Sequence, residues 1–581
     1  MLKKLLCVFL CAAILAGGVS LCAAGEDGAL PFLVATDLHY KPKPQTAPVN
    51  FPGDKYYCAD TSANLLSESY AVLREFLRQA AESDAGFVLM CGDLTHDGTL
   101  KQHTDFAGFL SDFERQTGKK VFVISGNHDF HSRISVEKFK EIYADFGYSE
   151  ALVVDEATCS YTADLSDKYR LLALDSTSHG GGGDGFTEEL LQWADRQAER
   201  AKQDGKTLIA IMHHNFLEHF PFQSKIMPLF IVRPELDLKT RFLDWGVQYV
   251  FTGHTHAHDI TSYTDNAGRA VYDVMTTSLN AYPCAYRSAA LTDGGLDIRT
   301  RRIDRVDAGD LPDGYTQELL CEMQTDFNQY ALGCFRHAFE SQKNAYIGEE
   351  ALSRILVRFV GEKAGAFLDP FFRSFVQTLF LPIYEPDTPD GKCLAQMARD
   401  LGLTVPETEY GSVSDLAFYF VCVVFEGDED VPYSDPQILL LMQCVYTSLY
   451  ETMKDVNAQT REAILADLRA NFSANALPFA VSAAGELALG AVRDDRLLET
   501  TLLLLSPLIE SFSKDDGMPD NDAFLPAQST DAAPATSAIR QLLTRVYQIL
   551  QRYFSGLVRI MKKYPLFSGI VGAAKNRLKG M

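Results

Sequence analysis

The chain has 581 residues, enough for more than one domain; at 47% apolar, 22% charged and 11% aromatic, with Gly 40 and Pro 23, it is no fibre, disordered chain or small stapled peptide. Its net charge of −24 is unevenly spread: residues 1–24 carry Lys3 and Lys4 and no acid, residues 540–581 carry nine Lys/Arg and no acid, and the stretch between sets 42 bases against all 77 acids. So acidic a body repels a phosphate backbone, which excludes a nucleic acid polymer as partner everywhere but at the basic tail.

Residues 1–24 read as a signal peptide. Lys3 and Lys4 precede the apolar run LLCVFLCAAILAGGV, and small residues around Cys22, Ala23 and Ala24 offer a cleavage site. A retained anchor needs about 20 apolar residues, whereas this run is shorter and broken by Gly17 and Gly18; a lipoprotein site at Cys22 would want a small residue where Leu21 stands. The expectation is therefore an exported protein, extracellular or in the cell envelope. Of 12 cysteines nine lie beyond this segment, and no CxxC pair occurs among them, so buried free thiols are expected rather than a thiolate metal cage.

Residues 30–305 alternate short apolar runs with amphipathic stretches. The runs are PFLVAT before Asp37, GFVLMC before Gly92, KVFVIS before Gly126, YRLLAL before Asp175, TLIAIM before His213 and VQYVFT before Gly253. Nearly unbroken apolar runs of this length suit strands buried on both faces. Helical spacing occurs at 67–81 and 186–202, and a hairpin is predicted at 286–304 around Thr292-Asp293-Gly294-Gly295. The class is α/β, a sheet covered by helices.

Five of the six runs end in polar side chains: Asp37-Leu38-His39, Gly92-Asp93, Gly126-Asn127-His128-Asp129, Met212-His213-His214 and Gly253-His254-Thr255-His256. Sites in open α/β sheets form at the carboxyl ends of strands, so these segments are expected to converge. Carboxylates, an amide and imidazoles without a thiolate suit two labile divalent ions about 3.5–4 Å apart, one carboxylate bridging. Singly each cluster is ordinary; together and in order they point to a metal centre. His131, Arg133 and His258 follow these clusters and either touch a substrate phosphate or face outward. The Gly180–Gly183 run lacks the Lys-Ser/Thr ending of a phosphate-binding loop, and the long link 40–66 is a candidate pocket wall.

Residues 316–512 change to long helical periodicity, for example at 351–359, 437–453 and 497–512, and read as an all-helical domain. Residues 513–538 are rich in Asp, Pro, Ser, Thr and Ala and read as a flexible linker. In 539–581, Ile539, Val546, Tyr553 and Ile560 recur every seven residues beside Leu543, Leu550 and Leu557, with Arg545, Arg552 and Arg559 on another face. That basic amphipathic helix either lies on an anionic membrane or envelope surface or docks on the helical domain.

Asp37-x-His39, Gly92-Asp93, Gly126-Asn127-His128-Asp129, His213 and Gly253-His254-x-His256 together resemble the five signature motifs of the calcineurin-like metallophosphoesterases. The GDLTHDG form at Gly92–Gly98, His39 and the Met212-His213-His214 triplet are most similar to secreted bacterial class III cyclic nucleotide phosphodiesterases with a helical C-terminal domain. Purple acid phosphatases place a metal-binding Tyr after the second-motif Asp, where this chain has Thr95, His96 and Asp97. The resemblance implies a β-sandwich flanked by helices and a dinuclear site for Mn, Fe or Zn. Asp37, His39 and His256 would hold one ion, and Asn127, His213 and His254 the other, with Asp93 bridging. Catalysis would fall to Asp93, Asn127 and His128, with His128 unligated near the leaving oxygen and a metal-bridging hydroxide as nucleophile. The family usually continues with Pro where this chain has Asn215. The function implied is hydrolysis of a small phosphodiester, with cyclic nucleotides foremost; a phosphomonoesterase or nucleotidase on the same site, and a noncatalytic envelope-binding protein, are the alternatives.

Overall fold

The structure, a computed structural model, describes residues 29–453 apart from breaks at 48–54, 59, 180–182, 221–222, 361, 387–390, 428–430 and 432–434, and residues 519–527. The signal peptide expected at 1–24, the helix expected at 497–512 and the basic amphipathic helix expected at 539–581 lie outside the described residues.

All six apolar runs are strands: β1 (Leu30–Ala35), β2 (Phe87–Cys91), β3 (Lys120–Ile124), β6 (Tyr169–Ala173), β7 (Thr207–Ile211) and β8 (Val247–Thr252). Seven further strands complete two sheets: β4 (Ala151–Val154), β5 (Tyr161–Asp164), β9 (Asp259–Thr264), β10 (Ala270–Met275), the hairpin β11 (Ala285–Leu291) and β12 (Gly295–Arg302), and β13 (Asp522–Pro526). One sheet runs β13-β12-β11-β1-β2-β3 and the other β4-β5-β6-β7-β8-β10-β9. β1, β2 and β3 are mutually parallel neighbours, as are β6, β7, β8 and β10, whereas the outer strands pair antiparallel.

The two sheets face each other. Phe32 on β1 meets Phe251 on β8 edge to face at 5.5 Å, and the Tyr161 hydroxyl on β5 donates to the Val123 carbonyl on β3 at 3.0 Å. Residues alternate strictly across the second sheet. Leu171, Ala173, Ile209 and Ile211 enter the core between the sheets, while Leu172, Leu174, Leu208 and Ala210 enter a second core beneath helices Glu188–Gln203 and Leu238–Trp245. Burial on both faces is the reason for the unbroken apolar runs. Helix Glu188–Gln203 starts where the Thr187 side chain accepts from Leu190 N, with Glu188 and Glu189 in its first turn and Lys202 in its last. On the outer face of the first sheet, Phe76 of helix Ser69–Glu82 meets Tyr286 of β11 edge to face at 5.1 Å.

Two expectations are corrected. A helical region does follow, from Gln317–Thr325 to Pro436–Met453, but the domain boundary at 305/316 does not divide two cores. Leu319, Met323, Phe327, Tyr330, Cys334 and Phe335 share the core between catalytic strands and helices, while Ile383, Leu394, Leu416, Leu440 and Cys444 form a small core farther on. The tyrosine hydroxyls of Tyr315 and Tyr330 both donate to the buried Glu68 carboxylate. The linker reading of 513–538 fails at Asp522–Pro526, which pairs antiparallel with β12; Ala523 and Leu525 are buried while Asp522, Phe524 and Pro526 face solvent, the alternation of an edge strand. All nine cysteines among the described residues are free, and Cys91 is fully buried in β2. No helix among the described residues is long and apolar enough to cross a membrane.

Candidate metal centre

The five clusters meet at one end of the sandwich because their loops continue the strand pairing beyond the sheets. Asp37 N donates to Gly92 O at 3.1 Å and His39 N to Asp93 O at 2.9 Å; Gly253 N donates to His213 O at 2.9 Å and Leu279 N to Thr36 O at 3.1 Å. Asp37, His39, Asp93, His254 and His256 all have positive φ, between 43° and 68°. Five non-glycine residues in the left-handed region at one place is stored strain of the kind that gathers at functional sites, since each costs about 1–3 kcal/mol.

Two of the glycines ahead of these residues are required by close approach rather than by turn conformation. A Cβ on Gly126 would lie 2.2 Å from Asp93 N and 2.2 Å from Asp93 Oδ1, and one on Gly253 would lie 2.4 Å from Asp37 Oδ2. The loops can therefore nest only without side chains there.

Two donor sets result. In the first, His256 Nε2 is 3.2 Å from Asp37 Oδ1 and 3.2 Å from His39 Nε2. In the second, His213 Nε2 is 3.1 Å from Asn127 Oδ1 and 3.1 Å from His254 Nδ1. Asp93 Oδ2 stands between them, 3.7 Å from His39 Nε2 and 3.3 Å from His213 Nε2. Donor atoms around one ion at about 2.1 Å are about 3.0–3.4 Å apart; the second set has that spacing, and the first is slightly wider, with His39 Nε2 3.8 Å from Asp37 Oδ1. All seven residues expected as ligands are thus together.

The hydrogen bonds behind these atoms fix which ones are open. Asp37 Oδ2 accepts from Thr36 Oγ1 at 2.8 Å and from His254 N at 2.9 Å, while Oδ1 is buried and accepts no hydrogen bond. Asp93 Oδ1 accepts from His128 N at 2.7 Å, which leaves Oδ2. His213 Nδ1 donates to Cys91 O at 2.9 Å and His254 Nε2 to Leu229 O at 3.3 Å, so in the neutral rings the lone pairs of His213 Nε2 and His254 Nδ1 face each other. Facing lone pairs and a buried carboxylate oxygen without a donor ask for a cation, and the nitrogen and oxygen set fits divalent transition metals.

The electrostatics agree. Burial alone would raise Asp93, but the imidazoles of His213 and His128 outweigh it and hold the carboxyl well below its usual range; Asp37 is lowered too, against burial, by His256 and His213. Burial is likewise overcome at His213, which Asp93 and Asp37 push up to about 9, whereas burial and His213 push His254 down to about 3. The shifts favour both carboxylates in their anionic form and a positive charge beside them.

His128 stands over the first set, its ring 4.6 Å from that of His39, and its Nδ1 donates to His96 O at 2.8 Å. Asp129 is no ligand. Its oxygens accept from Leu94 N, Thr95 N, Thr95 Oγ1 and Gly126 N at 2.9–3.2 Å, bracing the second cluster against the third. His214 is buried outside the ligand set on Ser176 Oγ at 2.9 Å. Asn215 ties its loop to the neighbouring one, donating to Thr252 Oγ1 at 2.8 Å and accepting from Thr255 Oγ1 at 2.6 Å. His131 and Arg133 are exposed, and His258 is buried away from the donor atoms between Thr277 and Thr300. Within the described part of the link 40–66, Tyr56 OH donates to Glu322 of the helical region at 2.9 Å.

One participant was not singled out from the sequence. His96 lies within ligand distance of His39 and His128, and the only signal for it was its place three residues after Asp93. The sixth strand end also has a purpose: Asp175 is a buried brace, accepting from Ser125 Oγ at 3.0 Å and Cys159 N at 2.9 Å.

Residues 30–258 match the family model described as calcineurin-like phosphoesterase. That stretch is a calcineurin-like phosphoesterase domain. No curated protein sequence matches the chain. Among solved structures, a dimetal phosphatase from Danio rerio is similar at 14% identity over 48% of this chain and 97% of its own, with a TM-score of 0.36. A purple acid phosphatase from yellow lupin (Lupinus luteus) is similar at 14% identity over 48% of this chain and 52% of its own, TM-score 0.33. A phosphopantetheinyl hydrolase from Mycobacterium tuberculosis is similar at 12% identity over 43% and 89%, TM-score 0.24.

Proposed function

We propose that this phosphoesterase is exported, uses two divalent transition-metal ions and hydrolyses small phosphodiesters, with cyclic nucleotides as the leading substrate class by resemblance of the GDLTHDG segment. The observation that supports it most is Asp93 Oδ2, one oxygen within reach of both donor sets. Asp37, His39 and His256 would hold one ion and Asn127, His213 and His254 the other, with Asp93 shared. Two such ions would supply Lewis acidity, acidifying water and offsetting charge on phosphoryl oxygens.

The side chains supply the rest. Asn127 turns Oδ1 towards His213, which leaves its NH2 to donate to a non-bridging phosphoryl oxygen. His128, held through Nδ1 by the His96 carbonyl, has Nε2 as the atom that hands a proton to the leaving alkoxide. A monoester brings one more negative charge than a diester and gains from extra cations at the rim. Lys41 Nζ is already engaged, 3.0 Å from Asp97 Oδ2, and among the clustered motifs only Arg133 offers a further cation, which favours the diester.

The test is turnover of bis-aryl phosphate, mono-aryl phosphate and cyclic nucleotides across Mn, Fe and Zn, with Asp93→Asn as control. Diesters should be turned over faster than the monoester by the parent and scarcely by the control. Preference for the monoester would replace the reading with a phosphomonoesterase, and inertness of a metal-loaded chain would leave an envelope-binding protein. Export rests on the pattern of residues 1–24. For residues 539–581, binding to anionic vesicles should weaken as salt rises; co-sedimentation indifferent to their removal would reject a membrane role.

A further inference from the structure

Residues 519–527, which follow the helical region in sequence, are bonded to both sheets. β13 pairs with β12, Leu525 O accepts from Tyr249 OH at 2.9 Å and Pro526 O from Gln248 Nε2 at 2.6 Å, both on β8. Asp520 is fully buried; its Oδ1 accepts from Ile260 N at 2.7 Å, and its carbonyl accepts from the fully buried guanidinium of Arg287. Asn521 Nδ2 donates to Glu426 O at 3.0 Å, which joins the segment to the end of helix Val413–Glu426.

From this segment a chain of hydrogen bonds leads to His256. Thr277 N donates to His258 Nδ1 at 3.2 Å, His258 Nε2 lies 2.7 Å from Thr300 Oγ1, and Thr300 Oγ1 lies 3.0 Å from Asn521 O. Its polarity is fixed at both ends. A backbone N–H only donates, so His258 Nδ1 carries the lone pair and Nε2 the proton; a carbonyl only accepts, so the Thr300 proton goes to Asn521. The remaining Thr300 lone pair takes Arg287 Nη1 at 3.3 Å, and the Thr277 hydroxyl donates to the His256 carbonyl. The residue at the end of the run, His256, has a strained positive φ of 61°.

We propose that residues 519–527 are a positioning strap for the metal centre: Asn521, acting through Thr300, His258 and Thr277, holds the backbone of His256 in the conformation that aims its imidazole at Asp37 and His39. The proposal rests on His256 being a metal ligand. Supports behind a ligand typically change metal affinity by about 10- to 100-fold when removed. The strap would make the acidic body incomplete without chain beyond the helical region.

The test is calorimetric titration of the metal-stripped full chain with Mn2+, read together with the melting temperature. Thr300→Val removes the hydroxyl and keeps the volume and the backbone bond from Thr300 N to Asn521 O. It should weaken one of two ions about tenfold or more while the second ion binds as in the parent, and the melting temperature should fall only by what the unpaired, buried His258 Nε2–H costs. Thr300→Ser should restore the parent affinity. Leu525→Asp, which expels the strap, should weaken the same ion; if it unfolds the chain, the Thr300 pair still decides. Two parent-like ions in Thr300→Val, or equal loss in Thr300→Val and Thr300→Ser, would overturn the strap. A parent that binds no Mn2+ would instead overturn the metal reading beneath it.

Discussion

Gly126→Ala puts one methyl group where the metal centre has no room. Its Cβ would lie 2.2 Å from Asp93 N and Oδ1, against 3.4–4 Å for ordinary contact, and the opposing atoms belong to backbone and to a braced carboxylate. The loops must part by about 1 Å, and overpacking of this kind costs about 1–3 kcal/mol. The bond from His128 N to Asp93 Oδ1 at 2.7 Å goes with it, and Asp93 Oδ2 leaves its place between the donor sets. A shift of about 1 Å at reacting groups costs about 100-fold in rate. Gly108→Ala is the matched control: it is exposed within helix Leu100–Thr117, and a Cβ there meets nothing within 4 Å. That change should stabilise by about 1 kcal/mol through helix propensity. Urea unfolding, bound metal and turnover are measured on both. A Gly126→Ala chain as stable and as active as Gly108→Ala would refute the close-approach argument.

His128→Ala should leave metal content unchanged and remove most turnover; unchanged kinetics would take His128 out of the mechanism. Asp129→Ala strips the acceptor from three backbone N–H groups, and at about 1–3 kcal/mol for each unsatisfied buried group the urea midpoint should fall by an amount worth roughly 3 kcal/mol or more. His219 gives a pH signature away from the metal centre. Its side chain is buried, Nδ1 on Asp259 and Nε2 3.3 Å from Asp273 in a charge contact; burial would lower it, but Asp273 and Asp259 push it up to about 10. The folded state therefore keeps a proton that the unfolded imidazole releases above about pH 6.5. This stabilisation is complete below that pH and lost as pH rises through about 10, so the urea midpoint should fall between these values and His219→Gln should flatten the fall. An equal slope in both chains would show that His219 contributes nothing there.

What could be read from the residues was what burial and strand ends impose. The six long apolar runs were legible because both of their faces are covered, and the five polar clusters because they follow those runs directly. β4 and β5 have four residues each, and β9, with the sequence DITSYT, is polar at a sheet edge, so neither carries a buried-strand pattern. β13 offers only Ala523 and Leu525 to a partner more than two hundred residues earlier, within a stretch of turn-forming composition; its strand character comes from β12. The helical region read as separate because periodicity reports which face is apolar and not what covers it. The clustered donor residues were legible by residue type, but Asp129, Asp175 and Asn215 act by bracing loops, and a brace is defined by partners that only the folded chain brings near.

The most direct measurement is the number and affinity of Mn2+ ions bound by the metal-stripped full chain, its Asp37→Asn variant and its Asp93→Asn variant. With Asp93 shared and Asp37 serving one set alone, the parent should bind two ions, Asp37→Asn should weaken one, and Asp93→Asn should weaken both. A single ion in the parent, or loss of only one ion in Asp93→Asn, would contradict a pair of metal sites joined by that carboxylate.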